Sequence, residues 1–89
     1  MKAVITVTGK DSVGIIAAVS TECARYGVNI LDISQSVLQE YFAMIMIADI
    51  DKMNIDFAGF VDKLNALGQQ KSLDIHTMHE DIFNSMHRI

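Results

Sequence analysis

The sequence predicts an α+β domain in which strands and helices follow one another in the order βαββαβ. The first observation behind this is the spacing of apolar residues, which alternates along the chain between the two-residue period of strands and the helical period. The second is an internal echo: Leu-Asp-Ile occurs at residues 31–33 and again at 73–75, each time just beyond a predicted helix. Two βαβ halves in series form the ferredoxin-like sandwich, a four-stranded antiparallel sheet with two helices on one face.

The first half of the chain predicts a strand, a helix and a second strand. Residues 2–8 are short, β-branched or alanine residues typical of strands, and residues 13–26 carry apolar side chains at helical spacing. Residues 30–39 alternate with a period of two, which indicates a strand with one buried face. The residues expected to point inward are Leu31, Ile33 and Val37.

The second half predicts another strand, helix and strand. Residues 42–48 are apolar at odd and even positions alike, as in a central strand that is covered on both faces. The first and third strands are expected in the centre of the sheet. A helix follows, ended by Gly68, with Asp51 and Asn54 as candidate caps. Its apolar stripe consists of Phe57, Phe60, Val61, Leu64 and Leu67. Residues 71–79 supply the last strand.

The C-terminal residues predict a short amphipathic helix. Residues 80–89 form a tail beyond the domain of residues 1–79, and Asp81 is its candidate cap. Its apolar residues, spaced as one helix face, are Ile82, Phe83, Met86 and Ile89. We expect this helix to cover a sheet edge or a partner subunit.

Composition restricts the partners and the location of the protein. Eleven acidic and seven basic residues give a net charge of −4, which disfavours nucleic acid and anionic membranes as partners. The single cysteine and the absence of a secretory signal predict a cytoplasmic protein. A chain of 89 residues buries only about 60–65% of its extended surface when folded alone, so a homodimer or higher homo-oligomer is expected.

A glycine-bracketed loop between the first strand and first helix carries the main functional signal. It lies within Thr8-Gly9-Lys10-Asp11-Ser12-Val13-Gly14-Ile15-Ile16, and a second segment, Gly27-Val28-Asn29-Ile30-Leu31-Asp32-Ile33, follows the helix. A strand that turns tightly into a helix points backbone N–H groups at whatever lies above the turn. Such a loop is suited to holding a small anionic or zwitterionic molecule.

In this order, the two segments resemble the ACT domain of regulators of amino-acid metabolism, over roughly residues 3–79. The tail is similar to that of small free-standing, UPF0237-like ACT-domain proteins, which also resemble the ACT halves of the glycine cleavage system regulator. The resemblance implies a regulatory module that binds an amino acid at the seam of a homodimer. One chain would contribute Gly9, Lys10, Asp11, Ser12, Val13 and Gly14, and the other Asn29 and Ile30.

The chemistry of these residues suits an amino-acid zwitterion. Asp11 or the Asn29 amide oxygen can accept from the ammonium group, and Lys10 or the helix N–H groups can bind the carboxylate. A side chain at Gly14 would crowd the ligand. The alternative is structural: Asp11 or Ser12 would cap the helix, and Asn29 would be a turn residue.

No catalytic, metal or cofactor site is predicted. Ser20, Ser34 and Ser36 lack a His-Asp or Lys partner at suitable spacing, and Cys23 lies on an apolar helix face as a small core residue. His76 and His79 would project to opposite sides of a strand. The chain is therefore not expected to be an enzyme.

Three other functions compete with the ligand-binding module. The alternative is a structural or protein-interaction domain that docks on a metabolic enzyme or regulator without a ligand, using the dimer seam and the tail. An acylphosphatase-like hydrolase would need an arginine in the loop, which offers only Lys10. An RNA-binding domain would need exposed aromatic residues on the central strands, where Val4, Thr6, Met44 and Met46 occur instead.

Overall fold

One antiparallel sheet and two packed helices form the body of the protein in a computed structural model, which describes residues 1–86. The elements are β1 (Lys2–Lys10), α1 (Ile15–Arg25), β2 (Asn29–Leu38), β3 (Tyr41–Asp49), α2 (Phe57–Lys71), β4 (Leu73–His79) and α3 (Glu80–Met86). The four strands are ordered β2-β3-β1-β4, so β1 and β3 are central. The predicted βαββαβ order and the two central strands are confirmed.

The core lies between the sheet and the two helices α1 and α2. Alternate residues of the central strands face this layer and are buried, because successive strand residues point to opposite faces. From the strands the core takes Ala3, Ile5, Val7, Phe42, Met44, Met46 and Ala48; from the helices it takes Ile15, Val19, Cys23, Phe60 and Leu64. The Cys23 thiol is fully buried there, which confirms its predicted place in the core.

The other face of the sheet is largely open, which differs from the expectation that β3 is covered on both faces. Ile45, between two buried methionines, is 44% exposed on this side. Both α1 and α2 pack on the opposite face, so an all-apolar strand sequence does not guarantee two covered faces. At one end α3 packs against β1 and β4, with Ile82 and Met86 exposed. The predicted Ile89 lies outside the described residues.

Strand β2 lies at a sheet edge, and its apolar residues are not buried as expected. Ile33 pairs with Met46 and Val37 with Phe42, which sets both on the helix side of the sheet. They are nevertheless 38% and 51% exposed, because α2 packs against β4 at the opposite edge of the sheet and α1 makes little contact with β2. Leu31, at a register shift between β2 and β3, is 48% exposed.

The start of α2 differs from the predicted caps. Asp56 caps this helix, its side chain accepting from the Gly59 N–H at 3.1 Å. Asn54 instead closes the end of α1, because its Nδ2 donates to the Arg25 carbonyl at 3.2 Å and its N–H donates to the Tyr26 carbonyl at 2.9 Å. Asp51 caps no helix and pairs with the amino group of Met1.

The end of α2 also differs, since the helix continues past Gly68 to Lys71. A Cβ added at Gly68 would lie 2.8 Å from the Leu73 carbonyl oxygen. Glycine therefore serves the close approach of α2 to β4 rather than the end of the helix. The C-terminal cap is Ser72, whose backbone is left-handed with φ 58°.

Replacing Ser72 by glycine is expected to raise the free energy of unfolding by about 1 kcal/mol. Left-handed backbone costs an L-residue roughly 1–2 kcal/mol, and glycine adopts it without this cost. Urea unfolding measures the difference. The control is Ser20→Gly inside α1, which should lower stability because glycine is unfavourable in a helix interior. A Ser72→Gly protein no more stable than the unmodified chain would contradict the interpretation.

Candidate functional site

The loop between β1 and α1 is held in place by a backbone hydrogen bond and a glycine. The Asp11 N–H donates to the Glu40 carbonyl at 2.7 Å, which ties the loop to the turn between β2 and β3. Gly14 has a left-handed backbone (φ 88°, ψ 11°) and occupies the N-cap position of α1. No side chain caps this helix, so the expectation that Asp11 or Ser12 does so is wrong.

The helix begins later than predicted, and this changes the role of Val13. Helix α1 starts at Ile15, and the left-handed glycine before it breaks the helical pattern that the sequence extended to Val13. The Val13 side chain is fully exposed and packs in neither the core nor the cleft described next. Ile15 is the buried residue of the first turn.

A cleft of about 280 Å³ lies between the first turn of α1 and the edge strand β2. Asp11, Ser12 and Gly14 line it on the loop side. Its other walls are largely apolar and are formed by Ile16, Val37 and Phe42. This volume is at the lower end of ligand sites in proteins, which suits a small metabolite.

The cleft offers both an acceptor and several donors. The Ala18 N–H makes the first hydrogen bond of the helix, donating to the Gly14 carbonyl at 2.9 Å. The N–H groups of residues 15–17 therefore have no acceptor within the helix. These N–H groups and the positive end of the helix dipole favour an anionic group. The Asp11 carboxylate is available to a cation at the same cleft. The two together match the opposite charges of an amino acid.

The predicted site residues are not all brought together within one chain. Asp11, Ser12 and Gly14 line the cleft, whereas Gly9 and Lys10 belong to the last two positions of β1. Gly9 packs against the start of β4, because an added Cβ would lie 2.8 Å from the Leu73 side chain. Asn29 and Ile30 begin β2, and the cleft residues Gln35 and Val37 lie further along this strand, roughly 20–26 Å from Asn29.

Gln35 also lines the cleft, although it is not among the site residues predicted from the sequence. It lines the cleft from β2, two residues before Val37. The signal was present in the alternation of residues 30–39, which assigns residues 33, 35 and 37 to one face. Gln35 is the polar member of this set, and a polar residue on the face that packs against the helices indicates that solvent reaches that position.

A larger hollow of about 600 Å³ lies elsewhere, between the N-terminus and the start of α3. Its walls include Lys2, His79, Glu80 and Ile82. The His79 ring stacks on Phe57 with centroids 4.0 Å apart, whereas His76 Nε2 contacts Asp74 Oδ2 at 3.1 Å on the other side of β4. The two histidines project to opposite faces, as predicted.

Other reactive side chains are unremarkable in the described part of the chain. Burial raises the pKa of the Cys23 thiol to about 11, so the thiol stays protonated near neutral pH. Within residues 1–86, no group of three or more His, Cys, Asp or Glu residues lies close enough to hold a metal ion. None of the helices described is long and apolar enough to cross a membrane.

Comparison with known proteins relates the chain to small proteins of the same length and to part of a longer protein. A family model described as ACT domain matches residues 2–78. A UPF0237 protein of Clostridium perfringens (strain 13 / Type A) is 51% identical over 89 residues, covering 100% of both chains. An ACT domain protein from Streptococcus pneumoniae superposes with a TM-score of 0.81 and 44% identity over 93% of each chain. A putative glycine cleavage system transcriptional repressor gives a TM-score of 0.70 and 29% identity over 85% of this chain and 43% of that one.

Proposed function

The chain belongs to the ACT-domain family, and we therefore propose that it is a regulatory module that binds an amino acid as a homodimer. Family membership implies a small-molecule binding module. The amino acid and the dimer are the finer parts of the proposal, and they rest on the cleft at the start of α1 and on the exposed edge of β2.

The observation that carries the proposal is the pairing of opposite charges within one small cleft. The carboxylate of Asp11 can accept from an ammonium group, and the first-turn amides of α1 can donate to a carboxylate. Gly14 adds no side chain between those amides and the solvent. A free amino acid carries both charged groups on one carbon, and it is small enough for a cleft of this volume.

The exposed apolar side chains support the homodimer. Four large apolar residues of β2 are at least 38% exposed, and Tyr41, just beyond the turn, is 56% exposed. The four are Leu31, Ile33, Val37 and Leu38. An edge strand with free backbone hydrogen-bonding groups and apolar side chains can pair with another strand. The β2 strand of a second copy of this chain presents the same surface, so the two strands can pair symmetrically.

Symmetric pairing of β2 with its own copy would unite the two halves of the predicted site. In an antiparallel pair, the first residue of one strand lies opposite the last residue of the other. Asn29 and Ile30 of the partner subunit would then approach Leu38 and Val37, and Val37 lines the cleft. The distance between Asn29 and the cleft within one chain is thus consistent with a site shared between two chains.

A thermal-shift screen of the twenty amino acids tests this function. A ligand at a hundred times its Kd adds about 2.7 kcal/mol of stability, which raises the Tm of a domain of this size by roughly 11–22 °C. We expect such a shift from one or a few L-amino acids. The D-enantiomers serve as controls, since they present the same charges in the wrong geometry. The absence of a shift with all twenty at millimolar concentration would contradict the proposal.

A further inference from the structure

We propose that Gln35 selects which amino acid occupies the cleft, favouring one whose side chain ends in a neutral hydroxyl or carboxamide group. This inference rests on the proposed function, because it concerns the specificity of the same cleft.

The pairing of β2 with β3 determines the side on which Gln35 lies. Gln35 pairs with Met44, whose side chain is buried on the helix side of the sheet, and Val37 pairs with Phe42, buried on the same side. Directly paired residues of adjacent strands share a face. The Gln35 side chain therefore lies on the helix side, beside Val37 and facing the first turn of α1.

The two sides of the cleft have different chemistry. The loop side holds Asp11, Ser12 and the helix amides, which suit the two charged groups of an amino acid. A ligand bound in this way directs its own side chain across the cleft toward β2. Among the described residues that line the cleft on β2 and β3, Gln35 is the polar one, next to Val37 and Phe42.

The carboxamide of Gln35 favours neutral polar ligands. It can donate and accept a hydrogen bond at once, so it matches a hydroxyl or another carboxamide. An acidic ligand side chain would meet no cation among the described cleft residues and would be repelled by Asp11. An aliphatic side chain would leave the carboxamide unpaired. One neutral hydrogen bond at such an accessible site corresponds to roughly three- to tenfold in affinity.

Calorimetric titration with isosteric pairs of amino acids tests the assignment. Threonine and valine differ by a hydroxyl in place of a methyl group, and asparagine and leucine by a carboxamide in place of an isopropyl group. For the unmodified protein we expect roughly three- to tenfold tighter binding of the polar member of at least one pair. In Gln35→Met this ratio should fall to about one, because methionine retains the length of the side chain and lacks the carboxamide.

A matched control and a second variant keep the outcome interpretable. Gln69→Met makes the same change on the exposed surface of α2 and should leave the ratio unaltered. Gln35→Ala removes the carboxamide by truncation and should give the same loss of discrimination as methionine. Circular dichroism and thermal unfolding establish that each variant is folded before titration.

The possible results separate this inference from the proposed function. If amino acids bind but the ratio is the same in Gln35→Met and the unmodified protein, Gln35 does not select the ligand, although the binding function stands. Equal binding of both members of each pair by the unmodified protein would also overturn the inference. If none of the twenty amino acids binds, the proposed function fails, and the selectivity of Gln35 fails with it.

Discussion

Replacement of Ile33 by glutamate is expected to weaken dimerisation by more than about a hundredfold. Ile33 lies next to the middle of β2 and is 38% exposed on the edge that we propose as the dimer seam. Near a two-fold axis the same residue of each chain lies close to its copy, so two added carboxylates would face each other. Like charges at an interface cost several kcal/mol, and every 1.4 kcal/mol is tenfold in the dissociation constant.

Sedimentation velocity over a range of protein concentrations measures this effect. The matched control is Ile82→Glu on α3, where the isoleucine is 52% exposed but lies away from β2. This control should leave the dimer intact. If Ile33→Glu dimerises as well as the unmodified chain, β2 is not the seam. If the unmodified chain is a monomer at every concentration, no dimer exists to share a site.

The second large effect is expected at Gly14, where asparagine should weaken amino-acid binding by roughly ten- to a hundredfold. Asparagine tolerates the left-handed backbone that this position requires, so the loop can keep its conformation. A Cβ at Gly14 would meet no atom within 4 Å, so the protein itself has room for the new side chain. That room lies beside the cleft, where the side chain would occupy the space that the ligand needs.

Gly27→Asn is the control for this substitution. Gly27 also has a positive φ, of 73°, but an added Cβ would lie 2.8 Å from the Lys52 carbonyl oxygen. This variant should lose more stability than Gly14→Asn and, while folded, lose less affinity for amino acids, because Gly27 does not line the cleft. Calorimetry gives the affinities, and thermal unfolding gives the stabilities. Equal affinity of Gly14→Asn and the unmodified chain would show that Gly14 does not border the bound ligand.

The strand order could be predicted from the sequence because it depends on patterns that a single chain displays. The Leu-Asp-Ile repeat at residues 31–33 and 73–75 indicated two similar halves, and the apolar residues 42–48 indicated a central strand. Burial on β2 could not be predicted in the same way. The alternation indicates which side chains share a face, but only the arrangement of helices decides whether that face is covered. Ile33 and Val37 therefore lie on the expected side and remain exposed.

The helix ends and the full lining of the cleft could not be predicted, because they depend on contacts between residues that are distant in sequence. Gly68 is a normal stop signal when read locally, yet the approach of Leu73 makes glycine necessary inside the helix. Asn54 is a good N-cap residue that instead bonds the end of α1, 29 residues earlier. The loop residues Asp11, Ser12 and Gly14 were predicted from local chemistry, whereas Gln35 required the register between β2 and β3.

The hydrogen bond between the Asp11 N–H and the Glu40 carbonyl has a thermodynamic consequence. It joins the loop of the cleft to the turn at the end of β2. The groups proposed to bind the ligand and the strand proposed to bind a second subunit are therefore connected through this anchor, the Asp11–Glu40 hydrogen bond. If each event orders this anchor, ligand binding and self-association are linked, and each strengthens the other by the same factor. Diluting the protein would then lower its apparent affinity for the amino acid, and adding the amino acid would shift assembly to lower protein concentration.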